Sequence, residues 1–253
     1  MLTRISTLFA KILRQHPKDN YLSEKDINRI EVKLNYNFHD KALITQALKH
    51  RSFLSVTNEC RLLSNERLEL LGDSVLGMVV TEFLYTRFPT KEEGELTAIK
   101  SLMVSRKILA RVARQIGIGG FILLNEAEEK AGGRNRTSIV ADAFEAVIGA
   151  IYLDGGLDTV IDFIHKKLLV RTDQIISEEQ YKNFKSMLLE YSQSKNLGLP
   201  QYVVREEEGP DHDKLFTIEV LINHEVLGMG KGNSKKKAEQ ISAKNALKKL
   251  NIL

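Results

Sequence analysis

Three acids, Glu66, Glu69 and Asp73, stand in a run that reads Asn-Glu-Arg-Leu-Glu-Leu-Leu-Gly-Asp-Ser-Val-Leu from Asn65 to Leu76. On a helix turning about 100° per residue, their spacing of three and then four places all three carboxylates on one narrow stripe. Leu68, Leu70, Leu71, Val75 and Leu76 surround them, and Met78, Val79 and Val80 follow, so the helix is otherwise largely buried. Carboxylates in such a setting repel one another and lose hydration unless cations sit among them. The stripe reads as half of a metal site, against the competing reading of a solvated acidic face. A second pair, Asp142 and Glu145, repeats the anomaly in Ile139 to Leu153, a helix apolar all round apart from those two. Two buried helices, each with close acids, can converge on cations that neither could hold alone.

Composition limits what else this chain can be. Of its 253 residues 43 % are apolar and 28 % charged, and a net charge of +4 permits a nucleic-acid partner without requiring one. Cys60 is the sole cysteine, which excludes an intramolecular disulfide or cysteine-based zinc site and fits a reducing compartment. Any metal must therefore take oxygen ligands. No apolar run is long enough to span a bilayer, so the chain is expected to be soluble and cytoplasmic, with no membrane partner.

The elements that must position the acids follow in order. Residues 1 to about 18 form a basic amphipathic helix, open to three readings: packed on the main domain, lying on a membrane or RNA, or acting as a transit peptide. Ser23 and Asp26 start a helix, and another runs from His39-Asp40 to His50-Arg51-Ser52, with His50 a local hydrogen-bonding residue. The acid-bearing helix spans about Ser64 to Arg87 and stops before Pro89. Leu96 to Ile116 reads as one helix carrying Lys100, Arg106, Lys107, Arg111 and Arg114. A charged, glycine-bearing loop, Glu126 to Arg136, contains Arg134 and Arg136, and such loops usually mark mobility or a ligand. Thr137 or Ser138 caps the helix of Asp142 and Glu145. Leu157 to about Ile176 closes an all-α domain.

Beyond a polar hinge the pattern changes to α-β-β-β-α, with strands at Gln201 to Arg205, Phe216 to Ile222 and Val226 to Gly230. The expected divisions are an N-terminal extension 1–25, a helical domain 26–176, a linker 177–182 and an α+β domain 183–253. Ser234 caps a last helix whose first turn holds Lys235, Lys236 and Lys237. Three lysines there oppose the helix dipole, yet with the free N–H groups they suit phosphate. A solvated lysine run is the bland alternative.

That cluster, the helix of Glu190 and Gln193 and the loop Gly209-Pro210-Asp211-His212-Asp213 together resemble a double-stranded RNA-binding domain. The resemblance implies that Glu190, Gln193 and His212 touch successive minor grooves and that Lys235, Lys236 and Lys237 hold the phosphates between. Leu189 stands where such domains often carry a glutamine.

With duplex RNA as partner, four clustered carboxylates point to phosphodiester hydrolysis with Mg²⁺, which favours oxygen ligands and keeps several waters. The stretch Asn65 to Leu76 resembles the signature of ribonuclease III, and the likeness extends through Leu43 to Ser52, Glu93 to Leu96, Gly132 to Arg136 and Ala141 to Ala146. It implies an all-α endonuclease domain followed by the RNA-binding domain, acting as a homodimer through the catalytic domain. The implied metal ligands and catalytic residues are Glu69, Asp73, Asp142 and Glu145, with Glu66 and Glu93 as supporting acids and Arg134 and Arg136 on RNA. Mg²⁺, with Mn²⁺ as substitute, is the implied cofactor. Cleavage leaves 5′-phosphate and 3′-hydroxyl ends with short 3′ overhangs, on rRNA precursors and other structured transcripts. Leu70 departs from the signature, where a phenylalanine is frequent at the dimer contact. A noncatalytic RNA-binding relative would lack acids from the two pairs, and a di-iron protein would want Glu-x-x-His; this chain fits neither.

Overall fold

The computed structural model describes residues 21–178, 183–210 and 214–253. The basic N-terminal helix expected for residues 1 to 18 lies outside them. The chain divides after Ile176 into two compact units.

The first unit is helical. Ser23 caps α1 (Glu24–Leu34), its hydroxyl accepting from Asp26 N at 3.1 Å. Asp40 caps α2 (Lys41–Ala47) in the same way. After a short turn and α3 (Leu54–Thr57), α4 runs from Glu66 to Arg87 and stops before Pro89. The stretch expected as one helix from Leu96 to Ile116 is instead two, α5 (Glu93–Met103) and α6 (Arg106–Ile116). Ser105 makes the break: its backbone is extended, and its hydroxyl caps α6 by accepting from Ile108 N. After α7 (Glu126–Lys130) comes α8 (Thr137–Lys167), bent at Gly156, and then α9 (Thr172–Ser177).

Helix α8 is the core of this unit. Val140, Ala141, Ala143, Phe144, Ala146, Val147, Ile148, Ala150 and Ile151 are all fully buried, as a helix apolar all round must be. Its chief neighbour is α4. Two glycines let their backbones meet: a Cβ on Gly72 would stand 1.8 Å from Glu145 O, and one on Gly149 would stand 2.3 Å from Leu68 O. No side chain fits at either position. The start of α8 is capped neither by Thr137 nor by Ser138; Arg136 takes the cap position, and Thr137 Oγ1 accepts from Arg114 at 3.0 Å. Midway along α8, Asp154 accepts from Tyr36 Oη, His39 N and Asp40 N, which ties the loop before α2 to α8 beside its bend.

In the second unit, α10 (Phe184–Ser194) precedes the antiparallel sheet β1 (Gln201–Glu208), β2 (Leu215–Ile222) and β3 (Glu225–Gly232), and α11 (Lys235–Lys249) follows. Asn223 and His224 both take positive φ, 50° and 67°, the geometry of a two-residue hairpin turn. Phe184, Leu188, Val220, Ile222, Ala243, Ala246 and Leu247 form the core between the helices and the sheet. Gly228 and Gly230 on β3 admit α11 to backbone contact, since a Cβ on either would lie within 2.4 Å of a helix carbonyl.

Candidate metal centre and nucleic-acid interface

The close crossing of α4 and α8 sets the geometry of the acids. Glu69 of α4 and Asp142 and Glu145 of α8 each turn one oxygen to a common point, and those oxygens lie within 4.8 Å of one another. Glu145 is only 9 % exposed. Asp142 Oδ1 is fully buried and accepts no hydrogen bond. Arg106 Nε stands 3.8 Å away, close enough to act as a charge but too far for a hydrogen bond.

Burial raises all three carboxyl groups above their ordinary values. Burial pushes Glu145 up to about 8, helped by the charges of Asp73, Asp142 and Glu69 and opposed by Arg106. Burial likewise raises Glu69, with Asp142 adding to it, and raises Asp142 against the pull of Arg106 and His50. An orphaned buried carboxylate oxygen beside two more carboxylates is a donor set that a cation would satisfy. All the donors are hard oxygens, so the set fits a hard divalent metal ion.

The other expected acids are placed differently. Asp73, one turn beyond Glu69, is exposed and stands outside this close group, though its charge is felt by Glu145. Glu66 is gripped by Arg61 through two bonds of 2.6 and 2.9 Å, with Arg51 3.9 Å away. The Arg61 bonds hold the Glu66 carboxyl below its usual range. Glu93 opens α5, accepts from Thr97 and faces a groove with Tyr85, Phe88 and Lys100. His50 is a local hydrogen-bonding residue: its Nδ1 accepts from Ser52 N at 3.2 Å.

In the glycine-bearing loop, Arg134 donates to Gly119 O, Ile122 O and Glu129, so its guanidinium braces the loop from within. Arg136 is the more exposed of the two and pairs with Glu128 at 2.5 Å. In the second unit, Glu190 and Gln193 lie exposed on one face of α10, and Lys235, Lys236 and Lys237 are exposed on the first turn of α11. Lys235 leans on Glu207 at 2.8 Å. His212 lies outside the described residues.

Sequence reasoning missed Gly72, Gly149 and Arg106 as parts of the site. The glycines carry a signal, for each lies one turn from an acid, Gly72 after Glu69 and Gly149 after Glu145. Arg106 carries none, because it reaches Asp142 only through the tertiary fold.

The chain matches a family model described as ribonuclease-III-like over residues 40–172 and one for the double-stranded RNA binding motif over residues 184–250. Ribonuclease 3 of Fusobacterium nucleatum is 42 % identical over 229 residues, covering 90 % of this chain and 97 % of that protein. Ribonuclease 3 of Caldanaerobacter subterraneus is 44 % identical over 224 residues, covering 88 % and 98 %. Among solved structures, the nuclease domain of ribonuclease III from Campylobacter jejuni aligns with TM-score 0.52 at 37 % identity, over 61 % of this chain and 98 % of that one. Another structure of that domain, TM-score 0.51 and 40 % identical over 56 % of this chain and 97 % of its own, is described by flexibility in a region involved in its dimer formation. Among the described residues no helix is long and apolar enough to cross a membrane. The match spans more than half of this chain and is joined by relatives above two-fifths identical over nearly their whole length; the chain belongs to the ribonuclease III family of double-strand-specific endoribonucleases.

Proposed function

We propose that this chain hydrolyses double-stranded RNA with Mg²⁺, for which Mn²⁺ substitutes, held by Glu69, Asp142 and Glu145 and joined by Asp73. The observation that carries the reading is the cluster itself: three carboxylates with oxygens within 4.8 Å of one another, beside Asp142 Oδ1 buried without a hydrogen bond. When bound there, the divalent ion supplies activation of water and neutralises the charge that builds on the phosphate.

In the reaction water attacks phosphorus, the bond to the 3′ oxygen breaks, and that oxygen takes up a proton. The products are 5′-phosphate and 3′-hydroxyl ends. Glu145 gives up its proton to take the cation, and its raised pKa makes that step pH-dependent. Glu66, already neutralised by Arg61, supports the start of α4, and Glu93 supports the α4–α5 groove.

Residues 26–176 act as the catalytic domain and 183–253 as the RNA-binding domain, joined by the linker 177–182 and preceded by the extension 1–25. Glu190, Gln193 and His212 meet the minor grooves, while Lys235, Lys236 and Lys237 hold phosphates by charge, giving shape recognition with little sequence readout. Arg136 contacts RNA, and Arg134 shapes the loop that presents it. Leu70, Met78 and Tyr85 are exposed along α4, 71 %, 48 % and 74 %, an apolar stripe suited to a second copy of the chain. A homodimer built there carries two sites that cut opposite strands and leave short 3′ overhangs. The physiological substrates are rRNA precursors and other structured transcripts of the cytoplasm.

Glu145→Gln tests the reading. It is expected to abolish Mg²⁺-dependent cleavage of long duplex RNA while gel-shift binding stays at the wild-type level, and sequencing the wild-type products checks the end chemistry. Undiminished cleavage by the variant overturns the assignment.

A further inference from the structure

The cation next to the acid cluster is a residue of the protein. Arg106 is the first residue of α6, set in place by the Ser105 cap that separates α6 from α5. Its Nε lies 3.8 Å from Asp142 Oδ1, the buried oxygen that accepts no hydrogen bond. Asp142 lies in one close group with Glu69 and Glu145, so the guanidinium stands beside the whole cluster. An arginine cannot shed its charge. A divalent ion entering the cluster must bind against the field of that guanidinium or displace it.

We infer that Arg106 is a resident counter-cation of the acid cluster, which offsets carboxylate charge in the metal-free protein and opposes metal entry, and so sets the metal affinity of the site. This rests on the cluster being the metal site. The side chain is 70 % exposed and makes no hydrogen bond to the acid, so solvent screens it and it is free to move away. A moderate effect follows, on the order of tenfold in metal affinity, not an all-or-none one. Arg106 is accordingly a positioning residue, acting on the carboxylates and not on the reacting phosphate.

The test is titration of the full chain, free of RNA, with Mn²⁺ alone, followed by calorimetry at low and high ionic strength. Arg106→Gln is expected to bind Mn²⁺ about tenfold more tightly than wild type, and the gap to narrow as salt screens the charge. Arg106→Lys, which keeps the charge, is expected to stay near the wild-type affinity. An Arg106→Gln affinity equal to or weaker than wild type overturns the inference, as does tightening by Arg106→Lys to the same extent. Glu145→Gln, titrated alongside, separates the two ideas. If Mn²⁺ binding is lost in that variant but unchanged in Arg106→Gln, only the role of Arg106 fails; if it survives in Glu145→Gln, the cluster is not the metal site and both fall.

Discussion

Glu145 should make the metal-free protein less stable as pH rises, and replacing it with Gln should relieve this. Burial and three neighbouring acids push its pKa from 4.5 to about 8. Below about 4.5 the group is protonated whether the chain is folded or not, and it imposes no penalty. Between there and about 8 the unfolded chain releases the proton while the folded one retains it, so stability falls with rising pH and levels off above 8. Each pH unit of that span corresponds to about 1.4 kcal/mol, which caps the effect at about 5 kcal/mol. Neighbouring side chains relax and Arg106 offsets part of the charge, so about 2 kcal/mol is the expected gain for Glu145→Gln at pH 8 or above. For a unit of this size that is roughly 4–8 °C in melting temperature. Scanning calorimetry in EDTA from pH 5 to 9 measures it, reading the transition of the helical unit. The gap between variant and wild type should be large at pH 8 and nearly closed at pH 5. Adding Mg²⁺ should then stabilise the wild type by mass action and the variant much less. A variant no more stable than wild type at pH 8, or a gap that does not shrink towards pH 5, would refute the account of Glu145 as a compressed carboxylate awaiting a cation.

Two further perturbations probe the helix crossing in the first unit and the lysine turn in the second. Gly149→Ala puts a methyl group 2.3 Å from Leu68 O, so α4 and α8 must separate; the helical unit should lose about 3 kcal/mol in a thermal melt and cleavage should fall ~100-fold, with duplex binding retained. Wild-type melting and cleavage in that variant would show that the helices do not need this contact. Replacing Lys236 and Lys237 with Ala should flatten the dependence of log affinity on log salt by roughly one per lysine in an anisotropy titration with duplex RNA. Adding Lys235→Ala should change it less, because Lys235 is already paired with Glu207; a slope unmoved by all three would remove phosphate contact from their role.

Which parts of this site a reader of the sequence can find depends on how far apart the cooperating residues lie. Asp142 and Glu145 were legible because charge inside a wholly apolar helix is anomalous within a single element, and both are in the cluster. The α-β-β-β-α order was legible for the same local reason, with Ile218, Val220 and Ile222 alternating inward on β2. Ser105 was not, since apolar residues continue at helical spacing on both sides of it and only the side-chain cap betrays the break. The helix expected from Leu157 does follow a break, since Gly156 is non-helical with φ of 79° and ψ of -176°, but it stops at Lys167 and not near Ile176. The stripe of Glu66, Glu69 and Asp73 shows the limit most clearly. A periodicity of 3.6 treats those three acids as equivalent, yet Glu66 is taken by Arg61, Glu69 turns into the cluster, and Asp73 remains exposed. What distinguishes them is where α8 crosses α4, and that crossing is fixed by Gly72 and Gly149, which have no side chain to announce it. The metal centre is therefore specified as much by two missing Cβ atoms as by the carboxylates, because only backbone contact between the helices brings Glu69 within reach of Asp142 and Glu145.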